Sequence, residues 1–144
     1  MIYLDSSLLV SLYCLDTNSA AAAAALHAAK STLLVTTLGE LETMNAFSLR
    51  VFRKEITGAQ ADAARQTFEK DLRAGVFRLR AVPDAAFERA KLLSRQFTPK
   101  LGTRTADLLH VAAAVELSAV SLFSFDMQQR KMAHAAGLKL NRWP

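Results

Sequence analysis

The feature of this sequence that most restricts its fold is the alternation of short apolar runs with longer helix-forming segments. The apolar runs lie at 2–4, 33–37, 76–79, 120–125 and 138–140, and alanine-rich or amphipathic segments separate them. Strands and helices that alternate in this way are typical of a mostly parallel sheet flanked by helices. We therefore predict an α/β fold. The pattern shows no internal repeat and no linker, which predicts a single domain over residues 1–144.

Two aspartates follow predicted strands directly. Asp5 comes after the first apolar run and Asp126 after the fourth. Ligands of parallel α/β sheets bind outside the carboxyl ends of the strands, so both side chains should lie at one edge of the sheet. Aspartate is also a common helix N-cap, and each of the two residues taken alone fits that role equally well.

Two further acids stand on predicted helices. Glu42, with Asn45, interrupts an apolar stripe at 38, 41, 49 and 52, and a carboxylate facing a core requires a partner or a cation. Periodicity does not say which side of this helix faces inward, so Glu40 remains the alternative. Asp107 lies in the first turns of a later helix, where the helix dipole favours a negative charge. It is also placed to pair with Arg104.

An all-carboxylate set of this kind predicts a site for a hard divalent cation. Mg²⁺ and Mn²⁺ prefer oxygen ligands, and a bound ion offsets the repulsion between acids held close together. Such sites serve phosphoryl transfer. The net charge of +5 favours a polyanionic partner, and Cys14, as the only cysteine, excludes an intrachain disulfide and a thiolate cluster. No apolar stretch is long enough to span a bilayer, so we expect a cytoplasmic protein without a membrane partner.

Four segments carry a family resemblance, in order along the chain. They are Met1-Ile-Tyr-Leu-Asp5-Ser-Ser, Glu42-Thr-Met-Asn45-Ala-Phe, Arg104-Thr-Ala-Asp107-Leu-Leu-His110-Val-Ala-Ala and Ser124-Phe-Asp126-Met-Gln-Gln-Arg130-Lys-Met-Ala, with Gly137-Leu138 after the last. With them, the chain resembles PIN-domain ribonucleases, especially VapC-type toxins of bacterial toxin–antitoxin pairs.

The resemblance implies a PIN-like fold and an endoribonuclease that cuts single-stranded or loop RNA with Mg²⁺ or Mn²⁺. It also implies a homodimer restrained by a cognate antitoxin. The metal-binding catalytic acids would be Asp5, Glu42, Asp107 and Asp126, supported by the polar residues Ser6, Asn45 and Ser124. Many relatives carry a further acid where this chain has Gln128, which leaves the number of metals open.

Other assignments remain beside these. Arg104, next to Asp107, is placed to orient RNA or to accept an acidic group of an antitoxin. His110 lies one turn from Asp107 among apolar residues, and we interpret it as a packed, hydrogen-bonded structural residue. A phosphatase with Asp5 as nucleophile is disfavoured because Ser7 stands where a second aspartate would be needed. A catalytically silent scaffold that binds RNA or protein remains the alternative function.

Overall fold

The computed structural model describes residues 1–142 and confirms the predicted α/β architecture. The two last residues of the predicted domain, Trp143 and Pro144, lie outside the described residues. The elements are β1 (Ile2–Leu4), α1 (Ser6–Tyr13), α2 (Ser19–His27), β2 (Leu33–Thr36), α3 (Thr37–Phe52), α4 (Gly58–Arg73), β3 (Arg78–Arg80), α5 (Asp84–Leu101), α6 (Thr105–Glu116), β4 (Ser121–Phe123), α7 (Met127–Ala135) and β5 (Lys139–Leu140).

The five strands form one parallel sheet in the order β3-β2-β1-β4-β5. The central strand β1 pairs with β2 on one side, where Ile2 is opposite Leu33, and with β4 on the other, where Ile2 is opposite Ser121. The chain thus runs outward from β1 in both directions. A crevice forms at the carboxyl end of such a reversal point, which here lies between β1 and β4.

Apolar side chains cover both faces of the sheet. Successive residues of a strand point to opposite faces, and on β1 the ring of Tyr3 joins one core cluster while Leu4 joins the other. The Tyr3 cluster packs α5, α6 and α7 on the sheet through residues such as Val111 and Met132. The Leu4 cluster packs α1, α3 and α4 through residues such as Phe68. The core is therefore a three-layer arrangement of helices, sheet and helices.

Helix α5 is the longest helix among residues 1–142, and it continues through Leu101 with Pro99 inside its last turns. The helix ends only at Gly102, which takes φ 62°, a left-handed conformation that glycine adopts without a Cβ clash. Among residues 1–142, none of the helices combines the length and apolar character needed to cross a membrane.

Candidate metal centre

The four predicted acids line one cavity of about 470 Å³ at the carboxyl edge of the sheet. Asp5 follows β1, Asp126 follows β4, and Glu42 and Asp107 reach the cavity from α3 and α6. Strand ends and helix starts meet here because all five strands are parallel. The crevice expected between β1 and β4 is thus acidic.

Asp5 is buried and its carboxylate is held on one side. Its Oδ2 caps α1 by accepting the backbone N–H of Ser7 at 3.1 Å. The same oxygen accepts the hydroxyl of Ser7 at 2.6 Å and that of Ser124 at 3.0 Å. The other oxygen, Oδ1, lies 4.0 Å from Nε2 of His110. Asp5 is therefore the N-cap of α1 through Oδ2, while its Oδ1 faces His110.

Glu42, and not Glu40, lies at this site. Its Oε2 accepts a hydrogen bond from the Ser6 hydroxyl at 2.9 Å and lies 2.6 Å from Nε2 of His110. Burial alone would raise the pKa of Glu42, but the hydrogen bonds with His110 and Ser6, together with the positive charges of His110 and Arg104, outweigh burial and hold the pKa below its usual value. The carboxylate form is therefore favoured. Glu40 lines a different cavity, beside Glu69.

His110 is packed and hydrogen-bonded, as predicted, but it also belongs to the site. The side chain is 1% exposed, and its Nδ1 lies 2.7 Å from the hydroxyl of Tyr3, which in turn lies 2.8 Å from Oγ1 of Thr36. Burial by itself lowers the pKa of His110, whereas the Glu42 hydrogen bond and the nearby Asp5 and Asp107 raise it, and the net shift is upward. The i, i+3 spacing from Asp107 was the sequence signal for this position.

Arg104 joins the remaining two acids. Its Nε donates to Oδ2 of Asp107 at 3.0 Å and its Nη2 donates to Oδ2 of Asp126 at 3.2 Å. The Asp107 side chain is nearly buried, whereas that of Arg104 is 72% exposed. Asp126 also caps α7, with Oδ1 accepting the backbone N–H groups of Gln128 and Gln129. The guanidinium therefore lies at the cavity mouth as the internal counter-ion of two carboxylates.

Ser7, which sequence reasoning used only to disfavour a phosphatase, is a central support of the site. Its hydroxyl binds Asp5, lies 3.3 Å from the Ser124 hydroxyl, and accepts the backbone N–H of Phe125 at 2.9 Å. It thereby ties α1 to the segment that follows β4. A small hydroxyl residue two positions after an N-cap aspartate has many local roles, so its type alone gave no signal for this one.

The segment after β4 is also held by Arg130 of α7 and by Asn141, which follows β5. The Ser124 backbone N–H donates to Oδ1 of the buried Asn141 at 3.2 Å, and Arg130 Nη1 donates to that same oxygen at 2.6 Å. Arg130 Nη1 also donates to the backbone oxygen of Ser124 at 3.1 Å. These bonds fix the position of Ser124, and through it they position Asp5 and the backbone of Asp126.

Asn45 does not reach the site. It is exposed on α3 and is not among the described residues that line the cavity. The stripe to which it was assigned faces outward, where Leu41 and Phe52 are 66% and 82% exposed. The buried side of α3 instead presents Gly39, Thr43 and Phe47. Glu42 lies between the two sides and lines the cavity, although the stripe is not a core stripe.

The opposite end of the cavity is closed by an ion pair. Arg50 Nη2 lies 2.7 Å from Asp16 Oδ2, and both side chains are 20% exposed. Asp16 also accepts the Asn18 backbone N–H at 2.8 Å and the Ser11 hydroxyl at 2.9 Å. Burial raises the pKa of Asp16, but the bonds from Arg50, Asn18 and Ser11 outweigh burial and lower it below 3.8. This end of the cavity is therefore already charge-compensated.

The donor set at the acidic end suits a divalent cation. One oxygen of Asp5, one of Glu42 and a ring nitrogen of His110 lie within 4.8 Å of one another. Asp107 has Arg104 as a counter-ion. The buried Asp5 has hydroxyl and amide donors, and among residues 1–142 its only cationic neighbour within ion-pair distance is His110, at 4.0 Å. A buried carboxylate gains stability from a nearby cation. The residues present therefore fit a divalent metal.

Comparison with solved structures gives the same architecture. VapC20 from Mycobacterium tuberculosis, a sarcin-ricin loop cleaving toxin, shares 18% sequence identity and a TM-score of 0.70, with 96% of each chain covered. FitAcB from Neisseria gonorrhoeae shares 15% identity and a TM-score of 0.73, covering 99% of this chain and 97% of that one. VapBC2 from Rickettsia felis, bound to a promoter DNA fragment, shares 18% identity and a TM-score of 0.69, with both chains fully covered.

Identities this low show a common fold and no more than that. Among curated proteins, no sequence matches this chain. The family profile is decisive because it spans almost the whole sequence: the profile described as PIN domain matches residues 2–135, a range that contains all four acids. The chain belongs to the PIN domain family.

Proposed function

We propose that this chain is a divalent-metal-dependent endoribonuclease, the VapC-type toxin of a type II toxin–antitoxin pair. The observation that carries the proposal is the convergence of Asp5, Glu42, Asp107 and Asp126 on one cavity at the carboxyl edge of the sheet. Four acids held in one crevice repel each other unless cations are present. Arg104 forms ion pairs with only two of them, Asp107 and Asp126. Membership in the PIN domain family supports nuclease chemistry at such a crevice.

Asp5 and Glu42 are the proposed principal metal ligands, with Asp107 and Asp126 beside them across the cavity. The ion is Mg²⁺ or Mn²⁺, because carboxylate oxygens are the ligands that these cations prefer. A divalent ion at this site would supply water activation and charge neutralisation at a phosphodiester. Ser6, Ser7 and Ser124 keep the carboxylates in place through their hydrogen bonds.

Arg104 is the proposed contact to the substrate. Its guanidinium is exposed at the cavity mouth and already spans Asp107 and Asp126, so it can turn to a phosphate once a metal neutralises those acids. The net charge of +5 favours a polyanion in general. The description of VapC20 as a toxin that cleaves the sarcin-ricin loop supports RNA as the substrate class.

A homodimer, a cognate antitoxin and a cytoplasmic location complete the proposal. The family resemblance supports both partners. The outward side of α3 offers a surface for the second copy, because Leu41, Leu49 and Phe52 are exposed there along one side of the helix. The acidic crevice is where we expect an antitoxin to act, since blocking its mouth would exclude RNA.

The test is cleavage of a panel of structured RNAs by protein purified free of any antitoxin. We expect cutting with Mg²⁺ or Mn²⁺, loss of cutting with EDTA, and recovery when the metal is added back. Glu42→Gln should abolish cutting, while Glu40→Gln, two residues away on the same helix but at another cavity, should leave it unchanged. Binding of RNA without cutting under all metal conditions would favour a silent scaffold and contradict the proposal.

A further inference from the structure

The imidazole of His110 is built into the site in a way that a purely structural histidine does not require. The ring is 1% exposed, and its Nε2 points at the two carboxylates, 2.6 Å from Glu42 Oε2 and 4.0 Å from Asp5 Oδ1. Its neighbours along α6, including Val111 and Ala114, are apolar and fully buried. Nε2 of His110 therefore lies at the edge of the core, next to the carboxylates of Asp5 and Glu42.

The far side of the ring is held in a fixed orientation. Nδ1 lies 2.7 Å from the Tyr3 hydroxyl, and that hydroxyl lies 2.8 Å from Oγ1 of Thr36. Because Thr36 can accept the Tyr3 proton, the Tyr3 oxygen can accept the Nδ1–H of His110. Nε2 now donates its proton to Glu42 Oε2, 2.6 Å away, so an ion that binds here displaces that proton to water. The imidazole is then neutral, with Nδ1 protonated and the lone pair on Nε2. Metal-ligating histidines are arranged in this way, with one nitrogen donating to a fixed acceptor and the other facing the ion.

The carboxylate oxygens next to Nε2 are arranged for the same role. Three donors hold Oδ2 of Asp5, namely the Ser7 amide and the hydroxyls of Ser7 and Ser124, and this arrangement directs Oδ1 to the histidine. Ligands at adjacent positions around an ion, each about 2.1 Å from it, are about 3 Å apart. The distances from Nε2 to Glu42 and Asp5 fall on either side of that value.

The other two acids are less available. Arg104 binds Oδ2 of both Asp107 and Asp126, and Asp126 Oδ1 is occupied by the N–H groups that begin α7. Among residues 1–142, the potential ligand atoms that lie within 4.8 Å of one another are one carboxylate oxygen each of Asp5 and Glu42 and one imidazole nitrogen of His110. This set differs from the four carboxylates that the sequence pattern predicts.

We propose that His110 Nε2 is a direct ligand of the divalent ion, which makes this a mixed nitrogen–oxygen site that prefers Mn²⁺ to Mg²⁺. Imidazole suits first-row transition metals, whereas Mg²⁺ favours oxygen and water ligands. This assignment rests on the proposed nuclease function and chooses between its two candidate ions. His110 is thereby a ligand and Tyr3 a positioning residue that fixes its tautomer.

The direct test is pulsed electron paramagnetic resonance of Mn²⁺ added to the full chain, which detects a ligated nitrogen as ¹⁴N modulation. We expect the modulation in the wild-type protein, its loss in His110→Gln, and its retention in His134→Gln, a control on the exposed side of α7. Absence of the modulation in the wild-type protein with Mn²⁺ bound would overturn the proposal, since His110 would then only hydrogen-bond Glu42. This arm does not depend on how a variant folds.

Calorimetric titration with each ion alone gives the second arm. We expect Mn²⁺ to bind the wild-type protein at least about 10-fold more tightly than Mg²⁺. His110→Gln, whose amide oxygen can replace the nitrogen, should lose about 10- to 100-fold in Mn²⁺ affinity and little in Mg²⁺ affinity. Tyr3→Phe should lose about 10-fold for Mn²⁺ because the ring is no longer oriented. Equal losses for both ions would contradict nitrogen ligation.

These results separate this inference from the proposed function. If the protein cuts RNA as well with Mg²⁺ as with Mn²⁺ and shows no ¹⁴N modulation, the nuclease proposal stands and the histidine ligand is wrong. If the modulation is present but no RNA is cut under any condition, the ligand assignment stands and the nuclease proposal is wrong.

Discussion

Replacing Asp16 with asparagine should destabilise the protein measurably, because this carboxylate holds one end of the cavity together. Its Oδ2 accepts Arg50 Nη2 at 2.7 Å and the Ser11 hydroxyl at 2.9 Å, while Oδ1 accepts the Asn18 amide at 2.8 Å. Asparagine keeps one acceptor oxygen and therefore the Asn18 bond. It loses the charge and presents a donor to Arg50.

The magnitude follows from the kind of bond lost. A hydrogen bond to a charged group contributes about 1.5–3 kcal/mol, and the lower half of that range applies because both side chains retain some contact with water. We expect Asp16→Asn to lower the free energy of unfolding at neutral pH by about 2 kcal/mol. For a chain of this length, that corresponds to a decrease in Tm of about 6 °C.

The pH dependence of this difference has a definite sign. Burial raises the pKa of Asp16, but the bonds from Arg50, Asn18 and Ser11 lower the pKa by more than burial raises it. The folded-state pKa therefore lies below 3.8. A depressed pKa contributes stability that is fully present above the unfolded-state value and is lost as the pH falls through the folded-state value. The difference between wild type and Asp16→Asn should therefore be constant at neutral and mildly acidic pH and should shrink below pH 3.8.

Urea denaturation at several pH values measures this difference. The matched control is Asp62→Asn, which removes the carboxylate from an ion pair with Arg65 at 2.6 Å whose aspartate is 67% exposed. That control should change stability by less than about 1 kcal/mol, as exposed pairs generally do. Equal effects of the two substitutions at neutral pH, or a difference that grows on acidification, would refute the assigned role of the Asp16 contacts.

Three further predictions concern the core, the cavity mouth and the exposed side of α3. Phe68→Ala removes a fully buried ring that contacts Tyr13 and Phe77, and it should lower the free energy of unfolding, measured by urea denaturation, by about 3–5 kcal/mol. A decrease of less than about 1 kcal/mol would contradict the place of Phe68 in the core. Arg104→Gln should raise the apparent Mn²⁺ affinity about five-fold in calorimetry, because the two ion pairs of Arg104, worth about 1 kcal/mol together, would no longer compete with the ion for Asp107 and Asp126. Unchanged or weaker Mn²⁺ binding would contradict this prediction. Phe52→Asp should convert a dimer into a monomer in light scattering, and an unchanged mass would exclude this surface as the dimer contact.

The fold could be predicted from sequence because its strands and helices differ in pattern and alternate without interruption. The strand-end positions of Asp5 and Asp126 then followed from the parallel sheet. Both residues also serve as N-caps, so the two interpretations of each aspartate hold at once. One carboxylate has two oxygens, and capping uses only one of them in each case.

The orientation of α3 could not be predicted because the helix has apolar residues on two sides. The side that packs inward carries Gly39 and Thr43, and their small volumes allow close approach. The hydroxyl of Thr43 is satisfied within the helix, because its Oγ1 donates to the Gly39 carbonyl at 2.7 Å. The apolar side remains exposed in the single chain. A surface that another chain covers has the same sequence pattern as a core.

The role of His110 was underestimated for a related reason. Apolar neighbours correctly indicated burial, but burial does not reveal which groups from distant parts of the chain face each ring nitrogen. Tyr3 and Glu42 are 107 and 68 positions away in sequence, and only the folded sheet brings them to the two sides of the ring. The supporting hydroxyl of Ser7 was missed because its partners after β4 are also remote in sequence.

The most direct test of the central claim is the rate of RNA cleavage by Asp5→Asn under single-turnover conditions with saturating Mn²⁺. Asparagine keeps the size and the N-capping oxygen of Asp5 but removes the charge that the metal needs, so folding should persist while cutting is lost. Asp62→Asn, on the exposed side of α4, should cut at the wild-type rate. Cleavage by Asp5→Asn at the wild-type rate would contradict the assignment of this crevice as the catalytic metal site.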